Sequence, residues 1–553
     1  MRRARQLWVI VFFIPLAFLG LFYAYPLLSI FDVSLRPAGI LDLSAFVRLL
    51  SSDYYIGTLL FTVYQAALST VVTLVLATPC AFVFARYQFR GKTLLLSLAT
   101  LPFVLPTVVV ALAFATLLGK DGTLNDLLMA FFTLESTPIQ LERSLAMIII
   151  AHVFYNFAVA LRIMTSYWSS LGFRVEEAAR CLGADELALW RDIRLPLIRP
   201  AMLSAGVLVF IFSFTSFGVI LILGGIRFAT LEVQIYYQAV NMFNLPLAAA
   251  LSLVQILSML FMMMIYTSTQ KRLQLTLASS AAVAKRPRTL LERLCVSLCV
   301  ALIAVLLFAP LLALVVRSVL VAGQLDLANF ASLVEKSRGS LLFIAPIESV
   351  FNSLRFALIA MCAALSLGLI ASYMIERRGR WSRLLDPLFM LPLATSAVTL
   401  GFGFIIALDE PPLNLRASWL IIPISHTLVA LPFVIRSVLP SLRAIPASLR
   451  EAARTLGAKP VDALLTIDLP LLGRGIAVGA TFAFTVSMGE FGASLFVAQR
   501  ESVTIPVVIY RLLGDPGFAS YRQSLAMSVL LMLVCASGFV IIERLRIAGV
   551  GEF

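Results

Sequence analysis

The chain has 553 residues, 61% of them hydrophobic and 13% charged, with a mean hydropathy of +0.99 and a formal net charge of +14. So few polar side chains cannot coat a water-soluble globule of this size, and lipid is the expected solvent. The basic residues sit mostly in short segments between apolar runs, which reads as the positive-inside pattern rather than a nucleic-acid surface. The six cysteines (Cys80, Cys181, Cys295, Cys299, Cys362, Cys535) form no C-x-x-C pair, and most lie within apolar runs, so neither a disulfide framework nor a metal site is expected.

A basic N-terminus, Met-Arg-Arg-Ala-Arg, precedes an apolar run from Leu7 to about Ile30. That run is long for a signal peptide and lacks a small-x-small cleavage site, so it reads as a retained first span. A span takes about 20 apolar residues. Such runs predict spans near 7–30, 57–84, 94–118, 144–165, 199–223 and 247–268, then near 295–317, 349–374, 383–407, 418–439, 473–496 and 521–543. Alternate loops carry Arg86, Arg90 and Lys92, then Lys271, Arg272, Lys285, Arg286 and Arg288, then Arg377, Arg378, Arg380 and Arg383. The opposite loops carry Asp121, Asp126, Glu135 and Glu142, and later Asp409 and Glu410. This bias predicts twelve spans with both termini cytoplasmic. The basic, Ser/Ala-rich stretch 269–292 reads as a flexible cytoplasmic linker between a first unit (1–268) and a second (293–553).

The two units are copies. Glu177-Ala178-Ala179-Arg180 recurs as Glu451-Ala452-Ala453-Arg454, an offset of 274. The same offset pairs His152 with His426, Arg162 with Arg436, Phe217-Gly218 with Phe491-Gly492, and Ile235-Tyr236 with Ile509-Tyr510. Upstream, Leu101-Pro102 pairs with Leu391-Pro392 at an offset of 290, which leaves 16 extra residues in the outward loop near 119–143. An even number of spans in each half makes the repeat parallel. The fold class is therefore all-α and polytopic, with about 12 transmembrane helices in two six-helix repeats.

A long cytoplasmic loop occurs twice, at about 171–196 and 445–470. It reads Glu-Ala-Ala, three residues, Gly, nine residues, Ile, one residue, Leu-Pro, with Gly183 and Gly457, Ile193 and Ile467, and Pro196 and Pro470 in register. This resembles the EAA loop of permease subunits in binding-protein-dependent ABC importers and implies the type I importer permease fold. The residue types suit a short docking helix. Ala178-Ala179 and Ala452-Ala453 favour helix with little bulk. Gly183 and Gly457 can end it in the left-handed region. Glu177 and Glu451 are expected in its first turn, where the helix dipole favours an acid. Ile193 and Ile467 can anchor the return segment, and the prolines can start the next span.

The resemblance implies two copies of a separate ABC ATPase, one per loop, and an extracytoplasmic substrate-binding protein, in a prokaryotic inner membrane. Gly91-Lys92-Thr93 is no P-loop, because Arg86 stands where the earlier glycine belongs. The chain is thus expected to be no enzyme and to bind no cofactor or metal, with ATP and Mg used by the partner. Glu490, opposite Ser216 in the repeat, is a pathway candidate with Phe217 and Phe491, since an acid in an apolar run is costly to bury; the alternative is an acid at the outer interface. His152 and His426 are expected near the outer ends of their spans, sharing an equivalent structural hydrogen bond, with Arg162 and Arg436 snorkelling near the inner ends. Segments 224–237 and 499–510 are candidate docking surfaces for the binding protein.

The fused arrangement resembles the iron(III) and thiamine importer permeases. Gly224-Gly225, Thr230-Leu231-Glu232, Tyr236, Gly489-Glu490-Phe491-Gly492, and His152 followed by Asn156 lean towards thiamine. Sulfate, molybdate and polyamine importers are related alternatives. An ion-driven secondary transporter also combines twelve spans in two parallel halves, but has no ATPase to dock.

Overall fold

In lipid a backbone must satisfy its own hydrogen bonds, so each long apolar run becomes a helix. The computed structural model describes residues 2–37, 39–171, 174–276, 284–321, 324–335, 342–376, 382–409 and 413–547. The first half contains α1 (Val11–Leu35), α2 (Asp53–Arg86), α3 (Thr107–Leu118), α4 (Leu145–Leu171), α5 (Arg174–Cys181), α6 (Leu195–Phe214), α7 (Gly218–Leu223), α8 (Leu231–Tyr236) and α9 (Leu245–Thr276). The second half repeats this order as α10 (Leu290–Val319), α11 (Pro346–Glu376), α12 (Ala397–Ala407), α13 (Ile421–Arg443), α14 (Ala447–Thr455), α15 (Leu469–Gly489), α16 (Gly492–Val497), α17 (Ile505–Gly514) and α18 (Phe518–Ile547). Among the described residues 11 helices are long and apolar enough to cross a membrane, or 12 if the bent pair Leu384–Leu393 and Ala397–Ala407 is one span.

Each half is built round a tight three-helix group: α2, α4 and α6 in the first, α11, α13 and α15 in the second. The opening helix of each half crosses to the other half. Helix α1 packs on α11 and α12, and α10 packs on α3. Fusion therefore interlocks the halves rather than placing them side by side.

The expected third and fifth spans are broken. In the third, Pro102 and Pro106 interrupt 94–118, and its counterpart bends by 92° before Ala397. The fifth spans stop at Phe214 and Gly489 instead of running on to 223 and 496. They also begin earlier, because the return segment of each Glu-Ala-Ala loop is itself helical and joins α6 or α15 through one wide turn, Leu189–Arg194 or Leu464–Asp468.

The 16-residue insertion contains a helix, Thr123–Phe132. Buried Asn125 ties the loop together, donating to the Gly119 carbonyl at 2.9 Å and accepting from Ile139 N–H at 2.9 Å. Arg317 of α10 reaches over to Asp126, so the insertion also joins the halves. The linker is pinned at its far end: Gln88 N–H donates to the Lys285 carbonyl at 2.9 Å, and Thr289 with Glu292 makes a capping box that starts α10. Residues 277–283 of the linker, the basic residues Arg377, Arg378 and Arg380, and Glu410 lie outside the described residues.

Candidate functional site

Both Glu-Ala-Ala loops fold alike around their glycines. The helices α5 and α14 carry Glu177-Ala178-Ala179 and Glu451-Ala452-Ala453, with both glutamates and the first alanine of each pair exposed. Gly183 has φ of 89° and Gly457 of 85°, and a Cβ added at either would meet nothing within 4 Å. The backbone, not crowding, requires glycine there. In each loop the residue after the glycine bonds back to a helix carbonyl: Ala184 N–H to Ala179 at 3.0 Å, and Ala458 N–H to Ala453 at 3.0 Å. Gly183 N–H reaches Arg180 and Gly457 N–H reaches Arg454, both at 3.0 Å, completing two Schellman caps. One expectation needs correction. Glu177 lies in the first turn of the described part of α5, whereas α14 starts at Ala447 and Glu451 falls beyond its first turn.

The loops also present apolar side chains that the motif does not name. Val175, Leu182 and Leu187 are 52%, 89% and 73% exposed, and their counterparts Leu449, Leu456 and Val461 are 44%, 88% and 51% exposed. All three pairs keep the 274-residue offset. Matching apolar triplets on otherwise polar loops form an exposed apolar patch on each. The signal lay in the register: three apolar pairs among charged neighbours.

Beneath each loop the charges are paired. Glu176 of α5 accepts from Arg86, at the end of α2, at 2.6 Å and from Arg194, leading into α6, at 3.0 Å. Arg194 is buried and also stacks over Phe82 (4.6 Å) and Trp190 (5.0 Å). In the second half Arg450 of α14 contacts Asp468 at 2.8 Å and Glu376, at the end of α11, at 3.6 Å.

At the centre, the breaks after α6 and α15 place Ser216-Phe217 and Glu490-Phe491 between helices rather than inside them. The Phe217 and Phe491 rings stack with centroids 5.6 Å apart, and Tyr236 and Tyr510 back them at 5.7 and 5.6 Å. Gly218 lets the chains cross there, since a Cβ would sit 2.3 Å from Thr107 Oγ1 and 3.1 Å from Phe491. A cavity of about 420 Å³ adjoins this seam. On the fifth spans its lining residues Ile211, Phe212, Phe482 and Thr485 precede the breaks, so it reaches towards the loop side.

Glu490 lines the cavity but is buried, not at an outer interface. It accepts from the N–H groups of Ala493 (2.8 Å) and Ser494 (2.9 Å) and from the Ser494 hydroxyl (2.6 Å), with His426 Nε2 at 3.4 Å. It caps α16 from beside the cavity. The histidines do not share an equivalent bond. His152 Nδ1 lies 2.9 Å from Ser69 of α2, and its Nε2 has no hydrogen-bond partner among the described residues. His426 Nδ1 lies 2.7 Å from Ser487 of α15, and its Nε2 lies 2.8 Å from Ser494. Both are buried within the bundle.

Glu232 of α8 was legible only as part of a resemblance. It is 1% exposed, lines the same cavity, accepts from Ser396 of the second half at 2.7 Å, and also meets Gln255. Among the described lining residues there are two glutamates and one histidine, and none is Lys or Arg. The candidate outer docking segments are mostly interior. All of α8 is buried, as are Val503 to Ile509, and the exposed tips are Ile226-Arg227 and Arg500-Glu501.

Comparison with known proteins fits this double architecture. Residues 74–275 and 364–546 each match the family model of the binding-protein-dependent transport system inner membrane component. The chain belongs to this family. It is a fused ABC importer permease, with the family domain present twice. The permease is 27% identical over 491 residues to the thiamine transport system permease protein of Brucella abortus (strain 2308), covering 88% of this chain and 86% of that one. It is 27% identical over 500 residues to the protein of the same description from Escherichia coli (strain K12), covering 88% of each. A probable ABC transporter permease protein of Sinorhizobium fredii is 25% identical, covering 96% of this chain and 95% of its own. A crystal structure of a bacterial ABC transporter involved in import of alginate is 17% identical, covers 50% of the permease and has a TM-score of 0.40.

Proposed function

We propose that this permease forms the translocation pathway of an importer for a small organic cation, thiamine, and draws its power from two copies of a separate ATPase. The observation that carries the coupling role is the pair of identically capped loops with matching exposed apolar triplets. Each triplet would seat in an ATPase cleft. ATP and Mg would be bound by the ATPase, and both loops and both termini would be cytoplasmic. A binding protein outside would deliver the cargo over the tips at Ile226 and Arg500.

The cavity chemistry supports a cation. Two glutamates stand in its wall, while hydroxyls and aromatic faces supply the rest. No Lys or Arg among the described lining residues offers an oxyanion a counter-charge. Thiamine has a permanently charged ring and a flat aromatic amine, and the Phe217–Phe491 seam offers matching surfaces. The curated relatives named for thiamine transport point the same way. The seam is closed and the cavity lining spans the breaks and extends along α6 and α15 to Ile211 and Phe482, an arrangement we read as inward-facing. ATP-driven approach of the two loops would part the seam, and hydrolysis would restore it.

The test is uptake into proteoliposomes holding the permease, its ATPase and its binding protein. ATP-dependent accumulation of labelled thiamine, uncompeted by sulfate or molybdate, supports the reading. Accumulation of iron(III) or a polyamine instead would replace the cargo while leaving the coupling role intact. Uptake driven by an ion gradient without ATPase would end both.

A further inference from the structure

Three members of the ion clusters under the two loops occupy equivalent positions with their charges reversed; Glu186, which also meets Arg194 at 2.8 Å, has the uncharged Pro460 as its counterpart. Arg86 and Glu376 are 290 residues apart, the offset of the upstream part of the repeat. Glu176 and Arg450, and Arg194 and Asp468, are each 274 apart, the offset of the loops. The first half thus holds Arg–Glu–Arg, and the second Glu–Arg–Asp, across the same three elements: the end of the second span, the coupling helix, and the entry to the fifth span.

The surroundings follow the sign. Where the fifth-span group is the Arg194 cation, Phe82 and Trp190 give it aromatic faces. Where it is the Asp468 anion, the Tyr373 hydroxyl donates to it at 3.0 Å. Three coordinated reversals with matched neighbours are not scattered drift of surface charge.

We propose that these triads are positioning groups that lock each coupling helix to the spans of its own half and reject those of the other. Resting on the reading of the loops as ATPase docks, this makes each loop a stiff lever: a push on α5 moves α2 and α6, and a push on α14 moves α11 and α15. The reversal supplies the address. Misplaced against the second half, Glu176 would face Glu376 and Asp468. Misplaced against the first half, Arg450 would face Arg86 and Arg194. A chain whose halves share a backbone plan and interlock through α1 and α10 gains from such a distinction, because like charges brought together with little water are costly.

The experiment compares three full-length proteins: wild type, Arg450→Glu, and the triple variant Glu376→Arg, Arg450→Glu, Asp468→Arg, which gives the second half the signs of the first. Hydrogen exchange over 447–455 is read on the purified chain alone, and uptake per ATP hydrolysed is read with ATPase and binding protein. The single variant gathers three carboxylates. It is expected to speed exchange and lower the uptake-to-hydrolysis ratio, each by about tenfold. The triple variant is expected to return both to within about twofold of wild type, since pairing is restored. A triple variant as impaired as the single one overturns the proposal, as does a single variant unchanged in both readouts. If the wild-type chain binds no ATPase, the docking reading fails, while the exchange data still decide whether the triads position the loops.

Discussion

At the Glu-Ala-Ala loops the halves are near copies in backbone: Gly183 and Gly457 share a positive φ, a Schellman cap and an exposed leucine just before them. One layer up, at the span entries, the positions are kept but the charges are reversed. At the central cavity the equivalence is gone, with Glu490 standing opposite Ser216, and Glu232 opposite Pro506. Identity between the halves thus falls from the exposed loops to the interior. Two identical ATPases would demand two identical docks, whereas one asymmetric cargo gains nothing from a symmetric cavity.

The strongest break of this comparison is at the triads. Replacing Glu176 by Ala removes the carboxylate shared by Arg86 and the buried Arg194, which keeps Glu186, and is expected to cost about 2–3 kcal/mol. Replacing the more exposed Arg450 by Ala is expected to cost about 1–2 kcal/mol, since Asp468 keeps Tyr373. Thermal melting of the detergent-purified protein should rank the two in that order.

A comparable difference is expected at the central glycines. Gly218→Ala must move Thr107 and is expected to cost about 2–3 kcal/mol, whereas Gly492→Ala meets Ala397 at 3.1 Å and is expected to cost about 1 kcal/mol. Equal melting temperatures for the pair would remove the asymmetry claimed for the crossing.

At the loops the halves should respond alike. Gly183→Val and Gly457→Val each force a branched residue to positive φ, at about 1–3 kcal/mol, while Asn at either site should be tolerated better. ATPase-coupled uptake is the readout, and the double Val variant should lose most of it. The smallest stability effect is expected at the carboxylates. Glu232→Gln and Glu490→Gln keep shape and part of the hydrogen bonding, so melting should change by about 1 kcal/mol or less. Cation uptake should nevertheless fall in both, and unchanged uptake in both would remove the charge argument for the cargo.

Much of this was legible in the sequence. Composition dictated the helices, and the glycines at fixed spacing foretold two left-handed helix ends that the backbone indeed adopts. The breaks in the fifth spans were not legible, because Ser216-Phe217 and Gly489-Glu490-Phe491 sit within continuous apolar runs and are broken by tertiary crossing at Gly218 and capping by Glu490. The triads were missed for a different reason. A repeat is sought by identity, and Arg86/Glu376, Glu176/Arg450 and Arg194/Asp468 look like mismatches until reversal of charge is scored as agreement. Burial of α8 also escaped notice, because an acid at Glu232 suggests a surface until Ser396 and Gln255 are seen to receive it.

Two equivalent loops should hold two ATPase subunits, and the direct measurement is the stoichiometry of ATPase retained by the purified permease. Two ATPase subunits per chain are predicted for wild type, with loss of binding when Leu182 and Leu456 are both replaced by Asp and a weakened, partial complex when either is replaced alone. Full retention of ATPase by the double variant, or ATP-dependent uptake that survives it undiminished, would contradict the account.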